Sequence, residues 1–110
     1  MTNSKQKGAR FERELAKKLR EYGFENARRS AQYCGNTGQA ADVVDAIPGY
    51  HIEAKHQEKM HLYDWMAQAV RDAESTGETP IVIHKQNYKD TLVTIRFEDF
   101  MNLINHNLTK

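Results

Sequence analysis

A chain of 110 residues, 39% of them hydrophobic, has room for one domain around one core, since two halves would each bury too little apolar surface to stay folded. No apolar run approaches the roughly 18 residues of a membrane span, and the polar opening MTNSKQKGAR lacks the apolar segment of a signal peptide, so a cytoplasmic protein without a membrane partner is expected. The lone Cys34 excludes an internal disulfide or a multi-cysteine metal cage, and a net charge of +1 says nothing by itself about nucleic acid.

The first helix is predicted from about Lys7 to Tyr22, where Phe11, Leu15, Leu19 and Tyr22 recur at helical spacing before Gly23 supplies a left-handed stop. This end of the chain is basic: residues 1–29 hold nine Lys or Arg against four Glu, whereas residues 30–110 hold seven against eleven acids. Such a division suits flanks that grip phosphates beside carboxylates that hold a cation, and suits solvated helix faces equally well. Phe24 to about Tyr33 is read as extended and CGNTGQA as a loop. Asp42 to Ile47 reads as a strand, Pro48 and Gly49 as a tight turn, and Tyr50 to Lys55 as the returning strand of a hairpin. Alternation sends Tyr50, Ile52 and Ala54 to one face and His51, Glu53 and Lys55 to the other.

Leu62, Trp65, Met66, Ala69, Val70 and Ala73 trace an amphipathic second helix that stops near STGETP. PIVIH and LVTIR read as strands joined by the polar turn KQNYKD, and Phe97, Phe100, Met101 and Ile104 mark a short closing helix with a frayed tail. The order of helix, three strands, helix, two strands, helix predicts an α/β fold, a sheet flanked by helices.

The chemistry gathers on the hairpin. Asp42 starts one arm and Glu53 lies on the other, so their carboxylates can converge, which is stable only if one is protonated or a cation lies between them. Oxygen ligands favour Mg2+ or Mn2+ over zinc, and Lys55, on the face of Glu53, can orient an attacking water or offset charge on a phosphate. The bland reading of these charges is a solvated sheet face. His51, His56 and His61 fall every five residues, which matches neither one helix face nor a zinc motif and predicts no histidine metal site.

Asp42, ten residues, Glu53, one residue and Lys55, preceded by Glu12 on the first helix, resembles the PD-(D/E)XK nuclease superfamily. KGARFERELAKKLREYGF at 7–24, Arg29 with Ser30, ADVV at 41–44 and IEAK at 52–55 are similar to the archaeal Holliday junction resolvases and their phage-encoded relatives. QEKMHLYDWMAQAVRDA, PIVIHKQN and LVTIRFEDF are similar to the phage-type members. Ala41 stands where the superfamily's name has Pro.

The resemblance implies a restriction-endonuclease-like αβββαβ core with a central mixed sheet, one nuclease domain over residues 1–110, and a Mg2+-dependent structure-selective endonuclease acting as a homodimer on four-way DNA junctions. It assigns Glu12, Asp42, Glu53 and the Ala54 carbonyl to the metal and Lys55 to catalysis, with Glu14 as the alternative third acid. Lys7, Arg10, Arg13, Arg28, Arg29 and Ser30 become candidate DNA contacts and Gln68 an accessory residue, while Asp45, one residue too far along the strand to share the face of Asp42 and Val44, reads as structural or rim. The alternatives are a related nuclease for other branched or nicked DNA, and a noncatalytic nucleic-acid-binding domain.

Overall fold

The computed structural model describes residues 4–30 and 41–108. Helix α1 spans Ser4–Glu21 and buries Phe11, Leu15, Ala16 and Leu19, the face that four-residue spacing places on one side. It ends in a Schellman motif: the Gly23 N–H donates to the Arg20 carbonyl and the Phe24 N–H to the Leu19 carbonyl, both at 3.0 Å. Gly23 adopts φ 110°, which a side chain would resist, and Phe24 then folds back against the core beside Leu19.

Five strands follow in spatial order β1-β2-β3-β4-β5: β1 Arg28–Arg29, β2 Val43–Val44, β3 Tyr50–His56, β4 Thr79–Lys85 and β5 Leu92–Ile95. The β3–β4 pair is parallel over seven residues and every other pair is antiparallel, a mixed sheet as expected. The predicted strand to Ile47 stops at Val44, because Asp45 turns to φ 54° and leaves the ladder. The Tyr50 N–H closes the turn onto the Ile47 carbonyl at 3.2 Å, with Gly49 at φ 85°, the left-handed position that follows Pro48 in a type II turn. The reading of Phe24–Tyr33 as extended holds only for Arg28–Arg29 among the described residues, and the expected loop CGNTGQA lies outside them.

The sheet is buried on both sides. Ile52, Ala54, Ile81 and Ile83 meet α1, and Val82 meets Trp65 and Ala69 of α2, which spans Leu62–Ala73. Alanines at 69 and 73, 0% and 2% exposed, allow α2 to lie close on the strands, and Trp65 fills the remaining width against the His84 ring. Burying side chains such as Phe11, Leu15 and Ile52 contributes on the order of 1.5–3 kcal/mol each before ordering entropy is subtracted. Helix α3, Phe97–Leu108, runs further than the short closing helix expected and buries none of its residues. It leaves Phe97, Phe100, Leu103 and Leu108 exposed, as are Leu92 and Val93 of β5. No helix is long and apolar enough to cross a membrane among the described residues.

Candidate active site

The short β2–β3 hairpin brings Asp42 to Glu53. The Asp42 N–H donates to the Ile52 carbonyl at 2.9 Å, and its Oδ2 accepts from the Ala54 N–H at 2.8 Å, so the side chain lies over the strand that carries Glu53. Burial first, and then the charge of Glu53, push the Asp42 carboxyl up to about 7; the Ala54 N–H opposes the rise and Glu12 adds a smaller push. Burial and the fields of Glu53 and Glu12 thus hold a proton on Asp42 towards neutrality.

Helix α1 supplies Glu12 from the border of its apolar face, half-buried, while Glu14 points to solvent. Of the two acids left open by the sequence, Glu12 alone acts on Asp42. Arg29, delivered by β1, holds Glu12 through Nε to Oε1 at 2.6 Å. A cleft of about 250 Å³ opens here, lined by Gly8, Glu12, Arg29, Asp42, Ala54 and Lys55. Gly8 and Ala9 of α1 leave its wall low, and the half-buried Lys55 borders the same space from β3.

Glu53 is 2% exposed and has a second set of neighbours beneath α2. Its Oε1 lies 3.5 Å from Nε2 of His51, a residue also 2% exposed, and Asp72 of α2 completes a group whose ligand-type atoms lie within 4.8 Å of one another. Contact with the Glu53 carboxylate raises the His51 imidazole above its ordinary value, against the desolvation that lowers it. Neither His51 nor Asp72 was singled out from the sequence for chemistry. The five-residue histidine spacing concealed the relevant one, in which His51 and Glu53 are two apart on one strand face. Gln68, the expected accessory residue, stands half-buried one turn before Asp72.

Among the expected DNA contacts, Arg10 and Arg13 are exposed along α1, and Lys7 pairs with Glu58 at 3.4 Å. Arg28 pairs with Asp45 at 3.0 Å, both side chains being exposed. Ser30 differs from the rest: it is buried, and its N–H donates to the Asp42 carbonyl at 3.0 Å, extending the ladder that sets Asp42. The loop after β3 is tied to the β4–β5 hairpin by Glu58, whose carboxylate accepts from the Asn87 N–H at 2.8 Å and sits below its ordinary range for that reason.

The fold and this cleft can be set against known proteins. The profile of the phage PDDEXK endonuclease family matches residues 3–110, nearly the whole length. The chain belongs to the phage PDDEXK endonuclease family. Among solved structures, this PDDEXK chain is similar to Hjc of Archaeoglobus fulgidus, a Holliday junction resolvase from an archaeal hyperthermophile, with a TM-score of 0.60 and 29% identity over 81% of this chain and 72% of that one. No curated protein sequence matches it significantly. The α/β architecture, a five-stranded mixed sheet with helices packed on its faces, is that of the Hjc restriction-endonuclease-like fold, as the sequence predicted. PDDEXK nucleases are generally dependent on divalent metals.

Proposed function

We propose that this PDDEXK chain is a Mg2+-dependent endonuclease that resolves four-way DNA junctions, one nuclease domain over residues 1–110 acting in the cytoplasm, with Mn2+ able to replace Mg2+. The observation that supports the chemistry is the Asp42 carboxyl, raised to about 7 first by burial and then by Glu53, with Glu12 of α1 adding to the rise. An acid held neutral by burial and by its acidic neighbours is a place where a divalent cation relieves repulsion, and an all-oxygen donor set suits magnesium. The residues present therefore fit the ion that the fold family implies.

Glu12, Asp42, Glu53 and the Ala54 carbonyl would hold the ion. Bound there, a divalent cation polarises the phosphate and makes water acidic enough to attack near neutral pH. Lys55 supplies the cationic donor at the cleft, orienting the attacking water and offsetting the charge that builds on the phosphate oxygens. The water oxygen bonds to phosphorus as the bond to the 3′ oxygen breaks; the departing oxygen takes a proton, leaving 5′-phosphate and 3′-hydroxyl ends. Arg29 lines the cleft and can exchange its bond to Glu12 for a phosphate oxygen, while Lys7, Arg10 and Arg13 extend the basic surface along α1.

Junction selectivity is supported by the likeness to Hjc, and it calls for two sites that cut opposed strands symmetrically. The exposed Phe97, Phe100 and Leu103 of α3 are apolar side chains available to a homodimer interface. The test is cleavage of a labelled four-way junction, a flap, a nicked duplex and a plain duplex, with and without Mg2+, by wild type and Glu53→Gln. Cleavage confined to the junction, abolished by chelation and by Glu53→Gln while junction binding persists, is the expected result. Equal cutting of flaps and duplex would overturn the substrate, and full activity of Glu53→Gln would overturn the site.

A further inference from the structure

The cluster beneath α2 has a feature that a solvated set of charges lacks. His51 is 2% exposed, and its Nε2 has no hydrogen-bond partner among the described residues although it faces two carboxylates. An imidazole nitrogen buried without a partner has lost its water and gained no hydrogen bond in return, so the position calls for an occupant. The 3.5 Å between Nε2 and Glu53 Oε1 is poor for a hydrogen bond. It does suit the edge of a coordination polyhedron, where two ligand atoms each about 2.1 Å from a tetrahedral ion lie roughly 3.4 Å apart.

We infer that His51, Glu53 and Asp72 form a second metal site, on the α2 side of Glu53, that takes a divalent transition ion of the zinc or manganese class. One nitrogen and two carboxylates make a donor set softer than the oxygens around Asp42, and three protein ligands leave a position for water. Two carboxylates balance the charge of a divalent ion, which matters for a group whose histidine and glutamate are both buried. Asp72 is the half-buried member and joins the cluster to the surface. The ligands come from β3 and α2, so an ion here ties the helix to the strand that carries the catalytic Glu53 and Lys55, and Glu53 becomes a ligand common to both sites. The inference uses the reading of Glu53 as catalytic only for that last point.

The test is Zn2+ titration of the full, EDTA-stripped chain by calorimetry, with Co2+ absorption as the optical readout, for wild type, Asp42→Asn, His51→Gln and Asp72→Asn. Zn2+ binding that survives Asp42→Asn and weakens about 10-fold or more in both His51→Gln and Asp72→Asn, with loss of the Co2+ band, is expected. Asp72→Asn lies at a half-buried helix position, so it carries the test if the buried His51 variant does not fold. Zn2+ affinity unchanged in Asp72→Asn, or Zn2+ binding abolished by Asp42→Asn alone, would overturn the site. These measurements need no DNA cleavage, so their failure is separable from failure of the junction assay.

Discussion

Asp42→Asn separates the electrostatics of the cleft from its chemistry. In the metal-free protein the folded state holds a proton on Asp42 up to about pH 7, whereas the unfolded chain releases it near 3.8. Stability from this group is therefore fully present below pH 3.8, falls as pH rises, and is gone above about 7. The whole interval corresponds to about 4 kcal/mol, of which about 2–3 kcal/mol falls between pH 5 and pH 8. For a domain of this size that is on the order of 10–20 °C in Tm. The asparagine keeps an acceptor for the Ala54 N–H and offers Glu53 a donor without a titrating proton. Thermal melts in EDTA at pH 5 and pH 8 should show wild type losing this stability and Asp42→Asn keeping it, while His51 titrates in both and cancels in the difference. Mg2+ at pH 8 should restore wild type and not the variant. Parallel pH profiles for the two proteins would refute the reasoning, because Asp42 would then not be held neutral by its neighbours.

Other outcomes follow from the same geometry. Lys55→Met should lower the cleavage rate by roughly 10²-fold or more with junction affinity changed only a few-fold, as measured by single-turnover kinetics and gel shift. Glu12→Gln removes one carboxylate and loosens Arg29, so activity at low Mg2+ should fall about 10-fold or more and recover in part at high Mg2+, which a Mg2+ titration of rate would read. Ala69→Leu inserts bulk where α2 touches Val82 and should destabilise the fold by about 1–3 kcal/mol in urea denaturation. Phe97→Asp should shift a dimer towards monomer in analytical ultracentrifugation while leaving the fold intact, because the side chain is 76% exposed within the chain.

The sequence by itself determined the element order and the faces that α1, α2 and β3 bury, though not the fate of the apolar stripe of α3, which buries none of its residues. Those follow from local periodicity: four-residue spacing at Phe11, Leu15 and Leu19, alternation at Tyr50, Ile52 and Ala54, and stops at Gly23 and near STGETP. The hairpin spacing of Asp42, Glu53 and Lys55 was equally legible, since a turn at Pro48 and Gly49 folds two short strands back on themselves. What needed the tertiary structure was every relation between distant segments. Glu12 rather than Glu14 faces Asp42 because α1 lies on the sheet at one rotation, set by Phe11 and Leu15. Ser30 is buried because its backbone extends the ladder to Asp42, and Arg29 is committed to Glu12 by the same pairing. His51 and Asp72 meet only because α2 approaches closely over its alanines. Local patterns follow from bonded geometry and burial along one element, whereas a carboxylate's neighbours, and hence its proton, depend on which elements pack together.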